Sequence, residues 1–302
     1  MPIPPQEANL PTITAEYFVH PGDKPFTQHL EGTCFDRNGD LYFTVIGEGK
    51  VGKVDMKTGE FKFIYDDQEG RHPVSVRIHK NGKLYVSCFG EGVAAGVLVM
   101  DPDGTNVKQI IYNELIDDLI FDKDGGFYYT VCTGYHADRS GFIGYCTPSN
   151  KKHFCVIPGL RSANGIALNK AGTHLWVTEY MGGNLHRFAL KPSATVEGTS
   201  SVCYQFTGMH GPDSCSIDED ENLYVAMQGQ GRVLVFNPYG IPIGQILLPD
   251  REKGKNLCCS SAMVAPGKRE VYITSCDDSG EGPWIFKAGS YAVGNTTMYQ
   301  FT

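Results

Sequence analysis

The sequence predicts an all-β chain folded as a six-bladed β-propeller, and three observations carry the prediction. A turn signal followed by a strand of the L-Y-V type occurs six times, in FDRNGDLYFT, IHKNGKLYVS, FDKDGGFYYT, LNKAGTHLWVT, IDEDENLYVA and VAPGKREVYIT. Marked at Gly39, Gly82, Gly125, Gly172, Asn222 and Gly267, successive copies lie 43, 43, 47, 50 and 45 residues apart, which is the period of a four-stranded blade. Each copy also divides into strand-length runs joined by hairpin-length gaps, and six copies fill nearly all of the 302 residues as one domain, 1–302.

In chain order, the first repeat gives GTCFD, LYFTVI, KVGKVDM and FKFIYDD, and the second gives VSVRIH, KLYVSCF, GVLVMDP and VKQIIYN. The fifth shows the strands most plainly, as CSID, NLYVAMQ, RVLVFNP and IGQILLP. Runs such as LYFTV and LWVTEY alternate in the manner of strands and are rich in β-branched and aromatic residues, so a helical reading fails. The sixth repeat falls short of a fourth strand after PWIFKAG, while ITAEYFV stands outside the first blade. A strand over about residues 13–20 is therefore expected to close the last blade.

Composition narrows the partners. A net charge of −8 without a basic run argues against nucleic acid and anionic membrane, which leaves a small-molecule substrate. No stretch approaches the length of a membrane span and the N-terminus carries no apolar h-region, so a cytoplasmic monomer is expected. The ten cysteines are spread through strand-like segments and read as free thiols rather than a disulfide framework.

The chemistry lies at one phase of the repeat. Five residues before each turn's leading position stand Glu31, Val74, Asp117, Asn164, Asp213 and Ser260. The first strand of every blade lines the central channel and all six run the same way, so these residues meet as a ring at one face. Three ionised carboxylates at ~4 Å repel by roughly 4 kcal/mol per pair at an effective dielectric of about 20, on the order of 12 kcal/mol in all. Neither Val74 nor Ser260 offers a positive charge. A shared proton relieves part of the repulsion and a divalent cation more of it. Carboxylate and amide oxygens without thiolate or imidazole suit Ca²⁺, with Mg²⁺, Mn²⁺ and Zn²⁺ as alternatives. Around the ring, His210 and Ser214 flank Asp213, and Cys34 follows Glu31 in the first inner strand. These, with Val74 and Ser260, are the candidate substrate-contacting or supporting residues.

Other motifs fail on context. The run from Gly47 to Lys53 satisfies G-x-G-x-x-G, but Val54 stands where a phosphate loop needs Ser or Thr and a strand follows, so it reads as a hairpin. G-x-S-x-G, H-E-x-x-H and C-x-x-C are absent from the sequence.

The segments LEGTCFDRNGDLYF, DDLIFDKDGGFYYT, SANGIAL, LWVTE, LHR, TGMHGPDSCSID, NLYVAMQGQGRVLVFN and GIPIGQILLP resemble the family that includes senescence marker protein, the gluconolactonases and luciferin-regenerating enzyme. They also resemble the family's drug-responsive bacterial lactonases. The resemblance implies a six-bladed propeller with a catalytic divalent cation, usually Ca²⁺, at the channel. It maps the metal ligands onto Glu31, Asp117, Asn164 and Asp213, and gives Asp213 the role of nucleophile or general base. The chain departs from the family in carrying Tyr129-Thr130-Val131 where F-T-D is common, and in its Cys34 and Cys258-Cys259. The expected activity is metal-dependent lactone hydrolysis. The alternatives are a cyclisation, isomerisation or phosphoester-type hydrolysis at the same centre, or a propeller that serves as a non-catalytic interaction platform.

Overall fold

The structure, a computed structural model, describes residues 1–22, 29–191, 195–276 and 282–302. Its strands form six sheets arranged radially as a propeller. The innermost strands are Leu30–Phe35, His72–Ile78, Ile116–Phe121, Ala163–Leu168, Pro212–Ile217 and Cys258–Val264, and each packs against the innermost strand of the next blade. Apolar clusters fill the wedges between neighbouring blades, such as Tyr224, Val233, Val235, Ile246, Val264, Ile273 and Phe286 between the fifth and sixth.

The N-terminal segment does more than the single strand expected over residues 13–20. It divides at the buried Ala15: Thr12–Thr14 pairs in parallel with Pro242–Leu247 at the outer edge of the fifth blade, and Glu16–Val19 pairs antiparallel with Trp284–Gly289. Glu16–Val19 is the fourth strand of the sixth sheet. The segment is pinned upstream by Glu7, which is fully buried against Arg232 and Tyr204. Two adjacent sheets thus share one short stretch of chain, and the exposed edge of the fifth is capped.

Two backbone devices aim the channel residues. First, every innermost strand carries a β-bulge beside the phase residue, between Glu31 and Cys34, Pro73 and Ser75, Ile116 and Leu119, Ala163 and Ile166, Pro212 and Cys215, and Cys259 and Ser261. A bulge inserts a residue on one side of the pair and re-aims the side chain there. Second, neighbouring strands approach so closely that Gly32, at φ +50°, would carry a Cβ only 2.2 Å from the Cα of Ser75, and Gly165 one 2.5 Å from the amide of Cys215. Only glycine fits the step after Glu31 and after Asn164.

The last letter of each repeat, T, S, T, T, A and T, has a structural reason. Thr44 Oγ1 donates to the carbonyl of Val74 at 2.7 Å, Ser87 Oγ to Asp117 at 2.5 Å, Thr130 to Asn164, and Thr178 to Asp213 at 2.8 Å. One blade's second strand therefore holds the phase residue of the next blade by its backbone. Ala226 interrupts the series, and there Ser216 Oγ donates to the Ala262 carbonyl at 2.7 Å instead. At the ring closure Ser260 Oγ donates to Leu30 at 2.7 Å and meets Thr274 Oγ1 at 2.9 Å. Each such bond contributes about 0.5–1.5 kcal/mol net and fixes the register of two blades.

Candidate metal centre at the channel mouth

Burial at the ring is nearly complete: Glu31, Asp117, Asn164 and Asp213 are all 5% exposed or less. Asn164 Nδ2 donates to Asp117 Oδ2 at 3.1 Å, and Ser214 Oγ donates to Glu31 Oε2 at 3.4 Å. The amide of Gly32 also donates to Glu31 Oε2, at 2.7 Å. One carboxylate oxygen each of Glu31 and Asp213 lies within 4.8 Å of the other and of a ring nitrogen of His29. Four blades thus bring their phase residues to one place.

Polar chemistry is left over there. Asp117 Oδ1 and Asn164 Oδ1 are buried without a hydrogen-bond partner. A buried acceptor left unmade costs about 1–3 kcal/mol, so two in contact with each other's residues call for a donor or a cation. Burial is the largest influence on all three carboxyls. It pushes Asp213 up to about 8, against hydrogen bonds from Asn164 and the Ser214 amide that pull it down. Glu31 and Asp117 are held well above the carboxylate range by burial and then by the charge of Asp213. The group is therefore poised to hold either protons or a positive ion.

The phase residues offer no positive charge, but an arginine does enter the channel one layer deeper. Arg77 Nη2 pairs with Asp118 Oδ2 at 2.6 Å and Nη1 donates to the carbonyls of Thr33 and Val76, both partners of the ion pair being fully buried. Asp118 pairs with that charge, and the pull of Arg77 on Asp117 is outweighed by burial and by the neighbouring carboxylates.

The remaining candidates separate. Ser214 reaches the centre through Glu31. Val74 stands at the ring as a buried apolar side chain, and the hydroxyl of Ser260 is spent on the blade closure. His210 is exposed on the rim at φ +58°, its ring against Gly229; the histidine that meets the acids is His29. Cys34 is buried toward the opposite end, where Gln300 Nε2 donates to its sulfur at 3.7 Å. That end is covered by the C-terminal turn Tyr299–Phe301, anchored by Arg37 to the Gln300 and Thr302 carbonyls, and a cavity of about 330 Å³ lies beneath it. The cysteines near the mouth are Cys132, beside Asp117, and Cys258, beside Tyr180. Cys259 is fully buried in an apolar cluster, and all ten cysteines are free thiols. Tyr180, whose hydroxyl donates to Gln228, stands in the field of Asp213 and Asp117. Sequence reasoning missed both His29 and Tyr180. His29 had a signal: it lies two residues before Glu31, and in an extended chain such residues face the same way.

The model of the family described as "SMP-30/Gluconolactonase/LRE-like region" matches residues 30–277. The chain belongs to that family. Among curated members it is 39% identical to Lactonase drp35 of Staphylococcus saprophyticus, over 99% of this chain and 94% of the relative, and 39% identical to Lactonase drp35 of Staphylococcus aureus, over 98% and 92%. Solved family structures share the propeller at lower identity. A calcium-binding regucalcin from Agrobacterium tumefaciens superposes with a TM-score of 0.74 at 15% identity, covering 94% of this chain and 98% of its own. A gluconolactonase from Xanthomonas campestris does so at 0.71 and 16%, covering 88% of each.

Proposed function

We propose that this family member is a divalent-cation-dependent lactonase whose centre is formed by Glu31, Asp117, Asn164 and Asp213. The observation that carries the reading is the convergence of these four buried oxygen-bearing side chains, two with orphaned oxygens, in a chain 39% identical to lactonases along its whole length. The donor set fits a dication, because the nearby guanidinium of Arg77 is paired with Asp118 and the unmade acceptors on Asp117 and Asn164 call for a positive partner.

The chain's residues divide the work. Glu31, Asp117 and Asn164 hold fixed positions through the Gly32 amide, the Ser87 hydroxyl and the Thr130 hydroxyl, so the donors are in place before a ligand arrives. When bound, the cation supplies the counter-charge that lets the acids ionise and a Lewis acid for the lactone carbonyl. Asp213 takes the proton of the water that attacks the acyl carbon, and Ser214 keeps Glu31 turned toward the centre. The ring opens to a hydroxy acid, whose alkoxide leaving group recovers the proton. The departure at Val131 does not reach this chemistry, because Val131 is packed in an apolar cluster with Ile116, Leu119 and Tyr129.

The test is hydrolysis of a panel of aliphatic and aromatic lactones by metal-loaded, chelated and Asp213→Asn protein. Turnover is expected to vanish in chelator and return with added cation, and the variant is expected to lose about 10²–10⁴-fold in kcat. Undiminished turnover in chelator refutes the reading.

A further inference from the structure

We infer that His29 is a direct ligand of the cation at the channel mouth, and that this nitrogen donor tilts the centre toward ions such as Zn²⁺ and away from Ca²⁺. The inference rests on the cation-dependent reading above and goes beyond it: an oxygen-only donor set becomes a mixed one. A ring nitrogen of His29 and one oxygen each of Glu31 and Asp213 all lie within 4.8 Å of one another. Two donors on opposite sides of one ion stand at most about twice a bond length apart, roughly 4–5 Å for bonds of 2.0–2.6 Å, so this trio fits around a single ion.

The position of His29 is built into the fold. It directly precedes the first innermost strand, Leu30–Phe35, and its carbonyl accepts the Ile46 amide at 3.0 Å, which ties it to the turn after the blade's second strand. The side chain is half-buried rather than free in solvent. An independent sign that the place awaits a ligand is the pair of buried oxygens on Asp117 and Asn164 that have no partner. Imidazole is a borderline donor that suits Zn²⁺ and its neighbours, whereas Ca²⁺ takes oxygen almost exclusively. Removing one nitrogen from the set should therefore cost the two ions unequally.

The experiment measures binding and not turnover. Full-length protein, stripped of metal, is titrated with Zn²⁺ and separately with Ca²⁺ against competing chelators of known affinity, as wild type and as His29→Ala and His29→Gln, with circular dichroism confirming the fold. Zn²⁺ affinity is expected to drop at least about 10–100-fold in both variants while Ca²⁺ affinity moves by less than about threefold. X-ray absorption at the zinc edge of the wild-type protein needs no variant and is expected to show imidazole scattering. Equal losses for both ions, no loss for either, or a zinc spectrum without imidazole overturns the role of His29 and leaves the oxygen-ligated centre standing. A wild-type protein that binds neither ion overturns the cation-dependent reading and this inference together.

Discussion

The acids at the mouth make the stability of the metal-free protein depend on pH in the direction opposite to ordinary salt-bridged carboxylates. The Asp213 carboxyl titrates at about 8 in the folded chain against its usual 3.8. Below both values the group is protonated whether the chain is folded or not. As pH rises through the interval between them, the unfolded chain releases the proton while the folded chain keeps it, so stability falls by about 1.4 kcal/mol per pH unit. The deficit reaches on the order of 5 kcal/mol near pH 8, where the folded group itself ionises. Glu31 and Asp117, raised in the same sense, add to it. Glu179 has the opposite sign but acts elsewhere. Its burial is outweighed by hydrogen bonds from His186, Asn184 and Arg161 that bring it to about 2, so its contribution is lost only as pH falls below 4.5. The assay is denaturant unfolding at pH 5, 6, 7 and 8 in chelator, for wild type and Asp213→Asn. The gap between the two is expected to widen with pH in favour of the variant, and saturating cation is expected to reverse it. A gap that stays constant from pH 5 to 8 refutes the argument that Asp213 is buried in a protonated state.

Two further outcomes follow from the channel's construction. Arg77→Met leaves Asp118 buried and uncompensated and is expected to cost about 3–5 kcal/mol in denaturant unfolding, most of it recovered when Asp118 is replaced by Leu as well. Thr178→Val removes the donor to the Asp213 carbonyl, and is expected to lower stability by about 1–3 kcal/mol and to lower kcat on any lactone turned over, since it frees the backbone that carries Asp213.

The fold was legible because a propeller repeats one supersecondary unit, and a turn signal that returns at blade spacing survives wide variation in the strands between. The phase of the acids was legible for the same reason: identical blades place equivalent residues at one level of the channel. Parity is what hid the rest. Along a regular strand alternate residues share a face, so the next channel residue after Val74 would be Val76. The bulge between Pro73 and Ser75 shifts the count by one, and the side chain that enters is Arg77, three residues on. The same offset brings Ile120, Ala167, Ser216 and Met263, each three after its phase residue, to the cavity at the far end. No periodicity in the sequence announces a bulge that recurs in every blade, although glycine after Glu31 and after Asn164 marks two places where neighbouring innermost strands approach closely.

The repeat's closing Thr or Ser was equally visible and equally mute. A hydroxyl at the end of a strand pattern reads as β-propensity until the next blade's carbonyl is seen 2.7 Å away, as at Thr44 and Val74. Its effect on function is indirect. Asp117, Asn164 and Asp213 each have their backbone held by the blade before, so the donors of the centre are positioned by contacts between blades rather than within them. Two junctions lack that bond, at Ala226 before Ser260 and at Thr274 before Glu31, and there Ser216 to Ala262 and Ser260 to Leu30 take its place. In this propeller the inter-blade hydroxyls are thus present wherever the preceding blade must hold Asp117, Asn164 or Asp213 in register. The backbone of the centre is held by Ser87, Thr130 and Thr178, and the ring is closed by the corresponding inter-blade bond of Ser260 to Leu30.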